Sequence, residues 1–301
     1  MQKNYTVAGG DGLALNVLEW GNPQGPSVLF IHGWSQAYLC WQKQYQSDLA
    51  EHFRLVAFDL RGHGMSAAPS DPNCYNSSAL WAADVHNIVE TLQLGRTVLV
   101  GWSYGSFIIT DYLRAYGVGA VAGINLVGGA VHFSEQAIGT YIGAGSSETV
   151  PLTLSSDLQV SIDGLRRFIE DCFAVKLSRA DYERVLCFNM TVRPDVRAAM
   201  FARVFVAEPV LRTYKGPLLV SQGRKDTIVL PATAELIKEL CPQARLSWYD
   251  EAAHGPFIEV PQRFNDELAE FAHAAQACKV PAAQTEDVLT LNTRGGHNHE
   301  T

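Results

Sequence analysis

Thr97-Val98-Leu99-Val100-Gly101-Trp102-Ser103-Tyr104-Gly105-Ser106-Phe107-Ile108 changes character at its centre. Thr97 to Gly101 is a short, continuous apolar run of the kind that forms a strand covered on both faces, and Tyr104 to Ala115 has the length and spacing of a helix. Between them stands Gly101-x-Ser103-x-Gly105. A serine at this junction sits in a turn so sharp that its backbone is strained, and the flanking glycines remove side chains that would clash. Its hydroxyl projects beyond the sheet, beside the free N–H groups and positive dipole end of the helix, where a forming oxyanion is stabilised. Ser103 is therefore the candidate nucleophile. A chance Gly-x-Ser-x-Gly in a chain with 25 glycines would not carry these strand and helix flanks.

Moving outward, the chain alternates strands with helices. Leu13 to Trp20 reads as an early strand, and the turn chemistry of Gly21-Asn22-Pro23 and Gly25-Pro26 predicts an antiparallel opening hairpin with the run that follows. Ser27 to Ile31, Arg54 to Phe58 and Ala120 to Leu126 read as buried strands. Tyr38 to Ala50 and Ser78 to Leu92 read as covering helices. This alternation implies parallel pairing through right-handed crossovers. From His132 to Tyr214 the rhythm gives way to helical candidates: Ile162 to Ala174, Arg179 to Met190, and a third after Pro194 with Val196, Met200, Val204 and Ala207 near helical spacing. Strands resume with Leu218 to Ser221 and Arg245 to Tyr249, with helices at Ala232 to Leu240 and Pro261 to Ala277. The expected organisation is an α/β core over 1–131 and 215–278, a helical cap inserted over 132–214, and a polar, poorly ordered tail over 279–301.

A nucleophilic serine needs a base and a group that orients the base. His254 lies in Asp250-Glu251-Ala252-Ala253-His254-Gly255-Pro256-Phe257, a loop between the last strand and the last helix. Six other histidines compete with it: His32 ends a strand, His63 sits in a glycine turn, His86 lies within a helix, and His52, His132 and His273 have no supporting motif. Asp226 follows the strand Leu218 to Ser221 and lies at the carboxyl edge of the sheet, where open α/β sheets bind ligands. There it could accept Nδ1–H of the histidine and stabilise the imidazolium. Its bland alternative is a turn or helix-cap carboxylate, and Asp250 and Asp59 are substitutes for the role. The resulting triad, Ser103, Asp226 and His254, runs in the order Ser, Asp, His. His32-Gly33-Trp34 closes the first buried strand, so the Trp34 and Tyr104 amides are candidate oxyanion donors. The Trp34, Trp102 and Phe257 side chains are candidates to line the substrate pocket.

These blocks, with Asp59-Leu60-Arg61-Gly62-His63-Gly64 and Gln222-Gly223-Arg224-Lys225-Asp226, make the chain resemble the α/β-hydrolase superfamily from about Tyr5 to Ala277. Within it the pattern is similar to the esterase and cofactor-free haloperoxidase branch. The resemblance implies an α/β-hydrolase fold, with a mostly parallel central sheet carrying helices on both faces. It also implies backbone donors at Trp34 and Tyr104, and a largely architectural role for Asp59, Arg61 and His63. Relatives often carry glycine where Ser106 stands here, a small-for-small exchange. A serine nucleophile sets the chain apart from the dehalogenases and epoxide hydrolases of this fold, which use aspartate.

The expected chemistry is hydrolysis of a carboxylic ester or lactone of a small to medium apolar molecule through an acyl-enzyme, with no metal or organic cofactor. Acyl transfer to peroxide, carbon–carbon or amide hydrolysis, and a non-catalytic binding protein on the same fold are the alternatives. A net charge of −8 disfavours nucleic acid and anionic lipid as partners, and 47% apolar content in 301 residues suffices for one large core. No signal peptide or membrane-spanning run is legible, so a cytoplasmic location is expected. The six cysteines lack metal-binding spacing and are expected to be small buried hydrophobes in a reducing compartment. His297 and His299 in the tail could bind a metal adventitiously but are expected to be inert.

Overall fold

Eight strands form one sheet in the computed structural model, which describes residues 2–203, 205 and 207–278. They are β1 (Lys3–Ala8), β2 (Ala14–Gly21), β3 (Ser27–Ile31), β4 (Arg54–Phe58), β5 (Thr97–Trp102), β6 (Val121–Val127), β7 (Leu218–Gly223) and β8 (Arg245–Tyr249). Their order is β1-β2-β4-β3-β5-β6-β7-β8. The pairs from β4 through β8 are all parallel, and only β1–β2 and β2–β4 are antiparallel. Eight helices of six residues or more accompany them among the described residues: α1 (Ser78–Thr91), α2 (Gly105–Tyr116), α3 (Leu158–Asp171), α4 (Arg179–Met190), α5 (Pro194–Phe201), α6 (Glu208–Thr213), α7 (Ala232–Leu240) and α8 (Pro261–Ala277).

The continuous apolar runs are explained by burial on both faces. Successive strand residues point to opposite sides, and the core divides accordingly. Leu29, Ile31, Val56, Phe58 and Leu99 join one cluster with Trp81 of α1, Ile109 of α2 and Ile237 of α7. Val28, Phe30, Leu55, Ala57 and Val98 join a second cluster with Phe264 and Leu268 of α8. Parallel pairing sends every strand from β3 onward toward the same edge, so the residues following β3, β5, β7 and β8 meet there.

The opening hairpin has a different partner from the one expected. β2 pairs with β1 and β4, while β3 lies between β4 and β5, so the Gly21–Pro26 turn leads into a crossover. Lys3–Ala8 escaped notice because, as an edge strand, it exposes four of its six residues and shows little apolar alternation. Tyr38 to Ala50 is also not one helix. It breaks into a 3-10 turn (Tyr38–Trp41) and two single helical turns (Gln42–Tyr45, Leu49–His52). Ser47 causes the second break: its hydroxyl donates to the Gln44 carbonyl and accepts from the Leu49 amide, competing with the helical ladder.

Between β6 and β7 the described residues form helices with no strand; Ile142 makes isolated bridges to Ile138 and, beyond β7, to Val229. α3 starts earlier than its apolar spacing suggested, because Asp157 caps it by accepting from the Gln159 and Val160 amides. Val196 and Met200 share α5, Ala207 precedes the separate α6, and Val204 lies outside the described residues. So does the tail, 279–301, with His297 and His299. All six cysteines are free. Cys40, Cys172 and Cys241 are buried, but Cys74 is half-buried and Cys187 and Cys278 are exposed, contrary to the uniform burial expected of them.

Leu99 is fully buried at the centre of β5. Leu99→Ala is expected to cost about 2–5 kcal/mol of unfolding free energy, read as a lower urea midpoint at unchanged slope.

Candidate active site

Ser103 has φ +53°, in the left-handed region that a side chain rarely occupies. The turn is possible because three neighbouring positions lack a Cβ. One added at Gly105 would lie 2.5 Å from the Ile31 carbonyl oxygen, one at Gly101 2.8 Å from the Gly105 backbone, and one at Gly33 3.3 Å from Ser103 Cβ. Strand end, helix start and the loop after β3 are thus pressed together. Ser106, fully buried, donates its hydroxyl to the Gly101 carbonyl at 3.3 Å. Ser106 therefore has an acceptor inside the turn.

The loops after β7 and β8 bring Asp226 to His254, with Nδ1 of the ring 2.8 Å from Oδ2 of the carboxylate and both side chains buried. Oδ1 of Asp226 accepts from the Ile228 and Val229 amides, and Oδ2 also accepts from the buried Gln222 Nε2 at 3.1 Å. Asp226 is thus both the turn carboxylate of the bland alternative and the partner of the imidazole, one oxygen for each task. With Nδ1–H directed at the carboxylate, Nε2 is the basic nitrogen.

His254 is held from two sides. Its amide donates to the Cys172 carbonyl and its carbonyl accepts from Trp102 Nε1, one residue before Ser103. The ring lies against Gly128, where a Cβ would sit 2.8 Å from Nδ1. Gly128 follows Val127, whose carbonyl accepts the Ser103 amide. Ser103 Oγ has no hydrogen-bond partner among the described residues. Apo catalytic sites commonly tighten such contacts only with substrate bound. Asp250 pairs with Arg224 at the surface and Asp59 lies in the loop after β4, so neither competes for His254.

Neither the Trp34 nor the Tyr104 amide has an acceptor among the described residues. Both residues line a cavity of about 40 Å³ at Ser103, walled by Phe107, Phe133, Phe168 and Phe201 and closed by Ile142, Val150, Ile228 and Val229. Their side chains anchor the helical segment: Trp34 Nε1 donates to the Arg197 carbonyl and Tyr104 Oη to the Met200 carbonyl. Trp102 and Phe257 do not line this cavity. They stack edge to face in the core cluster beneath His254 and support it from behind. A second chamber of about 230 Å³, lined by Ser134, Ile138 and Pro151 among others, shares Phe133, Ile142, Ser146 and Val150 with the first. A larger hollow of about 630 Å³ between Ile169 and Tyr182 contains none of the candidate site residues.

The Asp59–Gly64 block turns inward to hold loops. Asp59 accepts from the Tyr38 and Met65 amides and from Asn16 Nδ2, while Arg61 pairs with buried Asp84. His32 Nε2 accepts the Leu60 amide and His63 Nε2 accepts the Ser35 amide. Burial lowers His32 to about 4, and burial together with the nearby His32 ring lowers His63 to about 3. Both are neutral in the fold at pH 7.

The sequence assigned no site role to Gln222, Gly128 or the cavity residues Phe133, Ile142, Val150, Ile228 and Val229. Gln222 and Ile228–Val229 flank Asp226 closely enough for chain proximity to have suggested them. The others come from segments that only folding brings near Ser103. Among the described residues no cluster of three or more His, Cys, Asp or Glu side chains could hold a metal ion, and no helix is long and apolar enough to cross a membrane.

Two outcomes follow from this packing. Gly105→Ala is expected to destabilise the fold by about 1–3 kcal/mol, because the new methyl meets backbone, and thermal unfolding measures it. His32 and His63 bind protons in the unfolded chain near pH 6.5 but in the fold only near pH 4 and 3. Unfolding therefore takes up protons within that window, and the urea midpoint should fall as pH drops from 6.5 toward 4. A flat profile there would count against neutral buried imidazoles.

A model of the alpha/beta hydrolase family matches residues 28–267. The structure superimposes on one from Burkholderia cenocepacia, provisionally assigned as an aryl esterase, with TM-score 0.87 and 34% identity, covering 92% of this chain and 100% of that one. It superimposes on esterase RhEst1 from Rhodococcus sp. ECU1013 with TM-score 0.84 and 34% identity, covering 90% and 99%. A non-heme chloroperoxidase of Streptomyces lividans is 26% identical over 281 residues, 88% of this chain and 98% of its own. By its sheet, its strand-edge loops and these similarities, the chain belongs to the alpha/beta hydrolase family.

Proposed function

We propose that the protein hydrolyses carboxylic esters through an acyl-enzyme on Ser103. The observation that carries this reading is the buried Asp226–His254 pair at the same sheet edge as a strained serine, whose cavity is also lined by two residues with amides that have no acceptor among the described residues. In this mechanism His254 Nε2 takes the proton of Ser103 Oγ as the oxygen adds to the ester carbonyl. The oxyanion is held by the Trp34 and Tyr104 amides. Collapse of the adduct breaks the bond to the alcohol, which leaves with the proton from His254. Water, deprotonated by the same nitrogen, then releases the acid and restores the serine. Asp226 keeps the ring in the required tautomer and stabilises its cationic form.

Cavity size bears on the substrate. The inner cavity at Ser103, about 40 Å³, is much the smaller of the two spaces and favours a compact acyl group such as acetyl. The adjoining apolar chamber suits the remainder of a small, uncharged ester or lactone. The aryl-esterase assignment of the Burkholderia relative points the same way. The helices over 132–214 act as a cap on this reading, since their residues close both spaces. The Streptomyces relative supports a side reaction in which hydrogen peroxide replaces water and the acyl-enzyme yields a peracid. Peroxide- and acetate-dependent bromination would report it.

The test is a series of p-nitrophenyl esters together with a fluorophosphonate label. kcat/KM is expected to be highest for the acetate and to fall about tenfold or more by the octanoate, reflecting the roughly 1–3 kcal/mol that a misfit in an apolar pocket costs. Ser103→Ala should abolish labelling and lower kcat by more than about a thousandfold. Folded wild-type protein that is never labelled at Ser103 would defeat the proposal.

A further inference from the structure

Arg197 of α5 is 2% exposed, yet no carboxylate pairs with it among the described residues. Its guanidinium reaches four segments. Nε donates to Ser35 Oγ at 3.1 Å, Nη1 to the Thr153 carbonyl at 2.7 Å and Ser161 Oγ at 3.3 Å, and Nη2 to the Asn189 carbonyl at 2.9 Å. Thr153 closes a single helical turn and Asn189 lies in the last turn of α4, where carbonyls are left to accept from other groups. They solvate the cation without neutralising it. Burial alone lowers the group to about 10, so it remains charged at neutral pH.

The contact with the sheet edge is specific to one loop. Ser35 accepts from the guanidinium, while its neighbour Trp34 donates Nε1–H to the carbonyl of Arg197 itself at 3.2 Å. One residue of α5 therefore grips two consecutive residues of the loop that offers the Trp34 amide. Ser35 is also held at φ +60° with its amide on His63 Nε2, so the loop is pinned from the opposite side in a conformation the backbone would not choose by itself. An uncompensated buried cation is a costly choice where an apolar side chain could fill the same volume. Its position behind the loop supplies a reason, because a fixed positive charge in a water-poor site favours an oxyanion over a neutral carbonyl.

We propose that Arg197 is a positioning residue for the oxyanion hole, holding the Trp34 amide toward Ser103 through Ser35 and adding its unneutralised charge behind it. Seating of the helices between β6 and β7 and completion of the hole then become one event. The inference rests on the reading that Ser103 is acylated with Trp34 as a donor.

The experiment compares Arg197→Met, Arg197→Lys and Ser35→Ala with wild type in the full chain. It measures p-nitrophenyl acetate kinetics, the affinity of a trifluoromethyl ketone that forms a tetrahedral adduct, fluorophosphonate labelling and melting temperature. Arg197→Met is expected to lower kcat by about tenfold or more while KM changes less than about threefold, and to weaken the ketone in step with kcat, as for a loss confined to the transition state. Arg197→Lys should recover part of the loss, since it keeps the charge and loses the fork. Ser35→Ala removes one bond, leaves the guanidinium's three other bonds in place, and should lower the same two parameters several-fold by that indirect route. A folded Arg197→Met with wild-type kcat, or with a loss in KM alone, overturns the proposal. If Arg197→Met does not fold, an unchanged kcat in Ser35→Ala overturns it instead. Wild-type protein that resists labelling at Ser103 refutes the hydrolase reading and this inference with it, whereas labelled, active wild type beside unaffected variants refutes this inference alone.

Discussion

A single left-handed residue between β5 and α2 governs the arrangement of the rest. Ser103 can hold φ +53° only because Gly101, Gly105 and Gly33 leave room for backbone to pass within ordinary contact distance of backbone. The strain is confined where it is useful, since a serine in a relaxed helical or extended conformation would lie along the sheet instead of above it. The surrounding core, buried on both faces of β5, over-determines the turn and supplies the stability that the strained residue consumes.

Parallel strands then do the gathering. With β3, β5, β7 and β8 all ending at one edge, four segments far apart in the chain contribute an imidazole, a carboxylate and a pair of amides without any of them crossing the sheet. Asp226 shows how economically this edge is built. One oxygen closes its own loop on the Ile228 and Val229 amides, and the other meets His254 and Gln222. Loop geometry and imidazole orientation are therefore set by the same carboxylate. Trp102 and Phe257 contribute from below, as a packed floor that keeps His254 from sinking into the core.

The helices between β6 and β7 complete the site from above and make it small. Trp34, Tyr104 and Ser35 each exchange a side-chain hydrogen bond with α5 or its carbonyls, so the roof is fastened to the very residues that surround Ser103. Phe133, Phe168 and Phe201 fill most of the space that remains.

Local chemistry made much of this legible from residues alone. The bounds of β3, β4 and α8 follow from continuous or periodic apolar runs, and the sharp turn at Ser103 from glycines around a serine at a change of period, because each depends on interactions within a few residues. Asp226 and His254 could be named by their place after strands, but their 2.8 Å contact exists only once β7 and β8 lie side by side. The edge strand Lys3–Ala8, the burial of Trp102 and Phe257 away from the cavity, and the grip of Arg197 on Ser35 were hidden for one physical reason. Each is settled by which surfaces meet across the fold, up to 162 residues apart for Arg197 and Ser35, and neither propensity nor spacing encodes that meeting. The sequence by itself determined the elements and the chemical groups at their ends; tertiary packing decided which groups touch, how little room they leave, and that a lone buried cation stands behind the loop at Trp34.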